Sequence, residues 1–312
     1  MKDKPLFWHR PFFKLKKKQE GKLFTLPVLL AAAVLAAIIF VCIFAPLISP
    51  YSPTEQNLAD SLALPSMRHL LGADKVGRDL LTRLFYGGRT TLLCAIGVVL
   101  FSIIVGVPFG LLSGYYGGIA DTLIGRICDV ILSFPSLLLA FVFVAGFGRN
   151  MLNAVIALGI VYVPMLTRLV RSLTLVEKNK TYVEAAASIG YSNKRIMFLH
   201  ILPNCVSTII VQITLDLGYA ILDLAALSFL GLGVQPPTAD WGAMLDEGRN
   251  YLLQNPLLAL APGIVIILTV VALNIVSDGF HQYFEPSQRK LPSFKQADAQ
   301  KRSAAAKEAV NG

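Results

Sequence analysis

Six long apolar blocks divide the chain, and polar segments of very different length separate them. A helix needs about 20 residues to cross a hydrocarbon core of about 30 Å, and each block reaches that length. The apolar runs are unbroken, which favours transmembrane helices over half-buried strands. The blocks cover approximately residues 27–48, 91–112, 123–145, 151–170, 205–230 and 256–276. The pattern predicts an all-α polytopic membrane protein with six transmembrane helices.

Composition agrees with this prediction. Of the 312 residues, 55% are hydrophobic and 15% are charged, whereas a soluble domain has about 45–50% apolar and about 25% charged residues. The net charge of +9 would suggest nucleic acid in a soluble protein. Here the basic residues lie in tails and loops, so we expect them to interact with membrane lipid and not with nucleic acid.

The distribution of Lys and Arg predicts the orientation of the chain. If the N-terminus is cytoplasmic, the segments on that side carry 21 of the 28 Lys and Arg residues. Cytoplasmic loops are enriched in these residues, and an even number of spans places both tails on one side. We therefore expect both termini in the cytoplasm.

The chain divides into five consecutive segments. The basic N-terminus is too irregular for a signal peptide, and the apolar run after it is too long. The segments are a cytoplasmic basic tail (1–26), a first transmembrane helix (27–49), an extracytoplasmic segment (50–90), a core of five transmembrane helices (91–285) and a polar cytoplasmic tail (286–312).

The cysteines and histidines do not indicate a metal site, a cofactor or a catalytic centre. Cys42, Cys94, Cys128 and Cys205 lie within or beside apolar blocks without ligand-like spacing, which favours free thiols. The histidines lie at or beyond the span ends, and no Ser–His or carboxylate pair is positioned inside the bilayer. We expect no enzymatic activity from this chain.

The polar stretch EAAASIGYSNKRIMFLHILP, residues 184–203, occupies the long loop 174–204 between the fourth and fifth spans. Glu184 suits the positive end of a helix dipole, and the following alanines favour a helix with little side-chain bulk. Gly190 fits a left-handed helix end. A second helix with basic Arg195 follows, and Pro203 is expected to end it before the fifth span. The residues alone also allow an ordinary amphipathic connector at the membrane surface.

This stretch resembles the cytoplasmic loop of bacterial ATP-binding-cassette (ABC) importer permeases. That loop reads E-A-A, three residues, G, nine residues, I, one residue, L-P. The chain matches it at Glu184, Ala185, Ala186, Gly190, Leu202 and Pro203. His200 replaces the general Ile, and the sequence HILPN is typical of the peptide branch of the family.

Three further segments resemble the same branch. They are HLLGADKVGRDLLTRLFYGGRTTL (69–92), GYYGGIAD (114–121) and ALSFLGLGVQPPTADWG (226–242). The resemblance covers roughly residues 27–285. The chain is most similar to the C-type permease subunit of dipeptide and oligopeptide importers. This resemblance implies the type I ABC importer permease fold in a bacterial inner membrane.

The resemblance also implies a mechanism and partners. The first helix of the loop would dock on a cytoplasmic ATPase, with Glu184 and Arg195 as charged contacts. The partners would be a B-type permease subunit, two cytoplasmic ATP-binding subunits and an extracytoplasmic peptide-binding protein. The chain itself has no G-x-x-x-x-G-K-[ST] phosphate-binding loop. Similar permeases import nickel chelates or glutathione-like compounds, which remain alternative substrates.

Ionisable residues at membrane depth are candidates for function. Asp216 and Asp223 are seven residues apart in the fifth span and share one helix face, so they either line the translocation path or pair with another subunit. For Asp129 we expect an ion pair with Arg126, one turn earlier.

Two further features concern packing. Gly106, Gly110 and Gly114 form a small-residue series that favours close helix contact. Trp241 is expected at the membrane interface, where tryptophan is enriched.

A self-sufficient secondary transporter or channel is the competing class of function. It would need its own coupling-ion site or filter, and usually internal repeats. The sequence shows no convincing repeat. ATP dependence of transport separates this class from a permease subunit.

Overall fold

The computed structural model describes residues 25–284, and helices account for most of them. Almost all of the predicted N-terminal tail and the whole C-terminal tail lie outside the described residues. A π-helical turn, Ile196–Ile201, joins the short helix Asn193–Arg195 to the long helix Leu202–Phe229. In chain order the helices are α1 (Leu26–Ile43), α2 (Ala45–Ile48), α3 (Leu80–Tyr116), α4 (Gly118–Leu132), α5 (Ser136–Phe147), α6 (Met151–Lys178), α7 (Thr181–Ser188), α8 (Asn193–Arg195), α9 (Leu202–Phe229), α10 (Trp241–Arg249) and α11 (Leu257–Phe284).

Five uninterrupted helical segments within residues 25–284 are long and apolar enough to cross a membrane. They comprise α1, α3, α6, the segment from α8 to α9, and α11. The bent pair of α4 and α5 raises the number to six if it counts as one span. The prediction of an all-α membrane protein is confirmed, and the predicted six spans are reached when the bent pair counts as one.

The third predicted span, 123–145, is not one continuous helix. Its two parts, α4 and α5, meet at an angle of 87°. Pro135 is the last residue of the break, and it lacks a backbone N–H and disfavours a helical conformation in the residue before it. Because the residues on both sides of the break are apolar, the hydrophobic pattern of the sequence does not reveal it.

The second span is much longer than predicted. Helix α3 has 37 residues and begins at Leu80, 11 residues before the predicted start. Asp79 caps it, since its Oδ2 accepts a hydrogen bond from the backbone N–H of Thr82 at 2.8 Å. At 1.5 Å per residue α3 is about 55 Å long, so it extends beyond the hydrocarbon core.

The small-residue series of α3 lies against α6. A Cβ atom added at Gly110 would lie 2.6 Å from Cβ of Val170 and 2.7 Å from the carbonyl oxygen of Thr167. Gly106 and Gly114 meet α6 in the same way, one turn to each side. The predicted close packing is therefore confirmed, and its partner is the fourth predicted span.

The two ends of the bundle have different structures. The cap end consists of residues 49–79, the connection 230–240, α10 and the turn 250–256, which pack together near the start of α3. The loop end consists of the last turns of α3 and α6 together with residues 179–204. The length of α3 separates them.

A buried network of charges holds the cap end together. Arg78 and Arg83 both donate to Glu247 of α10, at 3.1 Å and 3.3 Å. Asp74 accepts from the Nε of Arg78. Arg83 is 1% exposed and Arg78 is 3% exposed. The two pairs with Glu247 join residues separated by more than 160 positions in sequence, so the network fixes α10 against the start of α3.

Trp241 does not present its side chain to the membrane interface, and that prediction was wrong. Its side chain is fully buried, and Nε1 donates to the carbonyl oxygen of Leu84 at 2.9 Å. Gly87 and Gly88 leave room for the indole ring, because a Cβ atom at Gly88 would lie 2.5 Å from it. A buried tryptophan needs a partner for its N–H, and α3 supplies both the space and the acceptor.

The predicted ion pair between Arg126 and Asp129 does not form. Asp129 instead accepts from Arg168 of α6, with 2.6 Å between Oδ1 and Nη2. Tertiary packing of α4 on α6 brings the two together, which local spacing did not reveal. All four cysteines are buried and free, in agreement with the sequence prediction.

Candidate functional site

Helix α7 carries the E-A-A residues and lies across the loop end. Val183 and Ala186, three residues apart, are buried in an apolar cluster that includes Ile196, Ile201 and Cys205. Glu184, Ala185 and Ala187 are exposed. The helix thus fixes one narrow apolar face to the bundle and presents a small, smooth face with one carboxylate to the outside.

Gly190 ends α7 in the left-handed conformation that the sequence predicts, with φ of +91°. The backbone N–H of Tyr191 donates to the carbonyl of Ala186 at 3.2 Å, and that of Gly190 donates to Ala187 at 3.0 Å. These two bonds form a Schellman motif. A Cβ atom at Gly190 would meet nothing within 4 Å, so the requirement for glycine comes from the backbone and not from crowding.

Tyr182 links α7 to both neighbouring spans. Its hydroxyl donates to Glu177 of α6 at 2.8 Å and accepts from Nδ2 of Asn204 of α9 at 3.3 Å. Asn204 also donates to the carbonyl oxygen of His200 at 2.7 Å. We call Glu177, Tyr182 and Asn204 the polar clamp. The polar clamp thus connects α7 to the fourth and fifth predicted spans.

The protonation of Tyr182 suits its role as a donor. Burial, and then the neighbouring Glu177 carboxylate, raise the pKa of Tyr182 to about 12. The hydroxyl therefore keeps its proton at neutral pH. Lys180 holds the other oxygen of Glu177 at 2.6 Å, so both carboxylate oxygens have a partner.

The second helix of the loop continues into the fifth span without interruption. This corrects the prediction that Pro203 ends that helix. The π-helical turn runs into α9, and Pro203 lies in the first turn of α9. Proline is tolerated in a first turn, where its missing N–H matters least. Residues 193–229 therefore form one uninterrupted helical segment, and the loop is mechanically continuous with the fifth span.

The other residues of the predicted loop site have distinct positions. The guanidinium of Arg195 is exposed and lies 4.4 Å from the ring centroid of Tyr191. His200 is half-buried, with its ring 5.3 Å from that of Tyr191. Leu202 is half-buried and Pro203 is exposed. Arg195 is therefore free to contact a docked partner, whereas His200 and Leu202 belong to the base of the loop.

The loop is also joined to α3. Lys178 donates to the carbonyl oxygen of Tyr115 at 2.6 Å, and the hydroxyl of Tyr115 donates to Asn193 of α8 at 3.1 Å. Sequence reasoning did not identify these residues or the polar clamp. Asn204 lies within the HILPN match, which is the one signal that pointed near it.

The two carboxylates proposed for the translocation path lie in α9, away from the loop. Asp223 accepts from the hydroxyl of Tyr162 on α6 at 2.8 Å. Asp216 is 5% exposed and accepts from Nε2 of Gln212 at 2.8 Å. Each has a neutral donor within this chain, so the structure gives both a packing role and leaves their part in transport a prediction.

Residues 25–284 contain no group of three or more His, Cys, Asp or Glu side chains placed to hold a metal ion.

The arrangement at the loop end can transmit force through α7. It offers an exposed small-residue face for docking, an apolar base and a polar connection to three long helices.

Two family models match the sequence. Residues 106–290 match the family described as "Binding-protein-dependent transport system inner membrane component". Residues 28–65 match the "N-terminal TM domain of oligopeptide transport permease C". The first match contains the whole loop end, and the second contains most of α1, all of α2 and part of the cap end.

Curated relatives are similar over most of their length. The chain is 44% identical over 255 residues to the di/tripeptide transport system permease protein DppC of Pseudomonas aeruginosa (strain UCBPP-PA14), covering 80% of this chain and 84% of the relative. It is 41% identical to the dipeptide transport system permease protein DppC of Alkalihalophilus pseudofirmus, over 90% of each. It is 46% identical over 222 residues to the glutathione transport system permease protein GsiD of Pectobacterium atrosepticum, covering 71% of this chain and 74% of the relative.

A solved structure shares the fold. The chain is similar to the MetNI methionine ABC transporter in an inward-facing conformation, with a TM-score of 0.54 and 18% identity. The match covers 66% of this chain and 98% of that one. At this level of identity the likeness establishes the fold alone.

Proposed function

The chain belongs to the family of binding-protein-dependent transport system inner membrane components, and we propose that it is the permease subunit of an ATP-driven peptide importer. It is a multi-pass protein of the bacterial inner membrane. Together with a B-type permease subunit it forms the pore. Two cytoplasmic ATP-binding subunits and an extracytoplasmic peptide-binding protein complete the system.

The observation that carries this proposal is the form of the loop end. Helix α7 exposes small side chains, which permit close approach of another surface, and it is anchored to long helices by packing and by the polar clamp. A docked ATPase that closes on ATP would move α7, and the clamp would pass this motion to α6 and α9. A rigid-body change of this kind switches a pore between two open states.

The orientation that this mechanism needs agrees with the charges. The loop end carries Lys178, Lys180, Lys194 and Arg195. Cytoplasmic segments are enriched in Lys and Arg. We therefore place the loop end in the cytoplasm, where ATPases operate, and the cap end outside, where a binding protein delivers substrate.

Peptide is the substrate class that two of the relatives named above favour. Their names specify dipeptides and tripeptides. Glutathione is the second candidate, because the permease at 46% identity is named for it. Glutathione is itself a small peptide-like compound, so both candidates place similar demands on a pore.

Reconstitution tests the proposal. The chain is placed in proteoliposomes with its B-type partner, the two ATPases and the binding protein, and uptake of labelled dipeptide and of glutathione is measured. We expect ATP-dependent uptake of dipeptide. Uptake by this chain alone without ATP would indicate a self-sufficient transporter instead.

Docking through α7 is tested by co-purification. Glu184→Lys reverses the charge on the exposed face of α7, and we expect it to reduce the yield of bound ATPase at least several-fold. Glu55→Lys makes the same change on an exposed residue of the cap end and should leave the yield unchanged. Equal yields for the two variants would contradict docking at α7.

A further inference from the structure

A polar stripe runs along one exposed face of α4 and its C-terminal end. Its members lie at intervals of four, three and four residues, which places them on one side of a helix. All four side chains are exposed in this chain. They are Thr122, Arg126, Asp129 and Ser133.

The stripe is extended by a charge on the neighbouring helix. Arg168 of α6 pairs with Asp129, and the two side chains are 53% and 55% exposed. Arg168 lies 17 residues from the first residue of α6, Met151, or about 26 Å along the helix axis. A hydrocarbon core that begins at Met151 is about 30 Å thick. On that placement the pair lies within the core, about 4 Å from its cytoplasmic boundary.

Lipid cannot cover this face at low cost. Charged groups in spans are expensive unless they meet water or protein, and they mark pathways for ions and substrates. The residue that follows each member of the stripe in sequence is apolar, and it lies about 100° further round the helix axis. These residues, Leu123, Ile127, Val130 and Phe134, are between 49% and 63% exposed. The helix thus has separate polar and apolar exposed faces.

The break after α4 gives independent support. Residues 133–135 interrupt the helix and are exposed. Non-helical backbone at membrane depth is tolerated only where protein buries it or where it lines a water-filled cavity. Helix α4 has 15 residues, about 22 Å, so the break comes before the helix could cross the core.

We propose that the polar stripe of α4, with Arg168, lines the water-filled route through the pore. The inference deepens the proposed function and rests on it for the identity of the cargo. A free peptide carries an ammonium group at one end and a carboxylate at the other. Asp129 complements the first charge, and Arg126 and Arg168 complement the second. A hydrated, zwitterionic peptide therefore fits this face better than a lipid or an apolar helix does.

Thiol accessibility tests the route. In the complete transporter, the four native cysteines are first replaced by alanine and uptake is shown to persist. Single cysteines are then introduced as matched neighbours: Thr122→Cys with Leu123→Cys, Arg126→Cys with Ile127→Cys, and Asp129→Cys with Val130→Cys. The probe is a charged, membrane-impermeant methanethiosulfonate reagent, which needs a hydrated thiolate to react.

We expect labelling of the stripe positions to be at least tenfold faster than labelling of their neighbours. Equal rates at both positions of each pair would overturn the inference. So would slow labelling together with oxidative cross-linking to the second permease subunit, because the stripe would then be a subunit interface. Labelling needs neither ATP nor peptide, so this result stands or falls independently of the cargo.

A transport measurement tests whether the charges of the polar stripe complement those of a zwitterionic peptide. We expect Arg126→Gln to lower the maximal rate of dipeptide uptake at least threefold and to leave the half-saturating peptide concentration unchanged, because the binding protein sets the latter. Arg149→Gln, at the far end of the neighbouring span, is the control and should change neither value. An unchanged maximal rate in Arg126→Gln would overturn the charge match.

Discussion

The hydroxyl of Tyr182 donates a hydrogen bond to the carboxylate of Glu177 at 2.8 Å, and this contact joins α7 to the last turn of α6. Asn204 of α9 approaches the same hydroxyl. One side chain therefore lies between the helix that we propose for docking and the two spans that it would move.

Removal of this hydroxyl should weaken the coupling of ATP hydrolysis to transport. Tyr182→Phe keeps the ring but loses a hydrogen bond to a charged group, which contributes about 1.5–3 kcal/mol. We expect the purified transporter to assemble normally and to hydrolyse several times more ATP per peptide imported. Tyr191→Phe alters another tyrosine of the loop and serves as the control; the same loss of coupling in both variants would deny Tyr182 a specific role.

The left-handed turn at Gly190 should be required for transport but not for insertion. Gly190→Val places a β-branched side chain at a φ of +91°, where a Cβ atom costs about 1–2 kcal/mol. We expect normal membrane levels and strongly reduced uptake. Gly190→Asn is the matched control, because asparagine tolerates this conformation. Normal uptake in the valine variant would count against a role for the turn in docking.

The contact between α3 and α6 should tolerate no added atom at Gly110. Gly110→Ala places Cβ 2.7 Å from a backbone oxygen of α6, and overpacking of this kind costs about 1–3 kcal/mol. The thermal unfolding midpoint in detergent should fall by several degrees. Gly125→Ala in α4 is the control, because its Cβ would meet nothing within 4 Å. Equal midpoints would show that the two helices separate easily at this contact.

The stability that the buried charges give to the cap end should depend on Glu247. Glu247→Gln leaves the buried guanidinium groups of Arg78 and Arg83 without this counterion, and breaking a buried pair costs about 3–5 kcal/mol. Asp246→Asn, one residue earlier, affects a pair with the half-exposed Arg249 and should cost no more than about 1 kcal/mol. Chemical unfolding of both variants measures the difference. A similar loss in the two would mean that water screens the Glu247 pairs.

Local patterns explain what was predicted correctly. The apolar runs predicted the order of the spans, and also their number if the bent pair of α4 and α5 counts as one span, because a helix in lipid satisfies its own backbone hydrogen bonds within one segment. The small-residue series gave close helix packing, and Gly190 gave the end of α7. The family resemblance rested on the spacing within the loop 184–203 and on three further short segments, each of which is a pattern of neighbouring residues.

Two of the errors share one physical cause. Asp129 pairs with Arg168, 39 positions away, and Trp241 donates to Leu84, 157 positions away. Neither choice of partner leaves a periodic signal in the sequence. The bend at Pro135 and the continuity through Pro203 were also missed, because the effect of a proline depends on whether it lies between helices or in the first turn of one.

The sequence by itself determined that this chain is a helical membrane protein with a helix–turn–helix loop between two spans, because hydrophobic length and local backbone preference act over neighbouring residues. Only the tertiary structure decided which polar groups meet at the clamp, which charges are buried at the cap end and which remain exposed along α4. Those outcomes depend on how long helices pack side by side, and packing brings together residues that no local pattern relates.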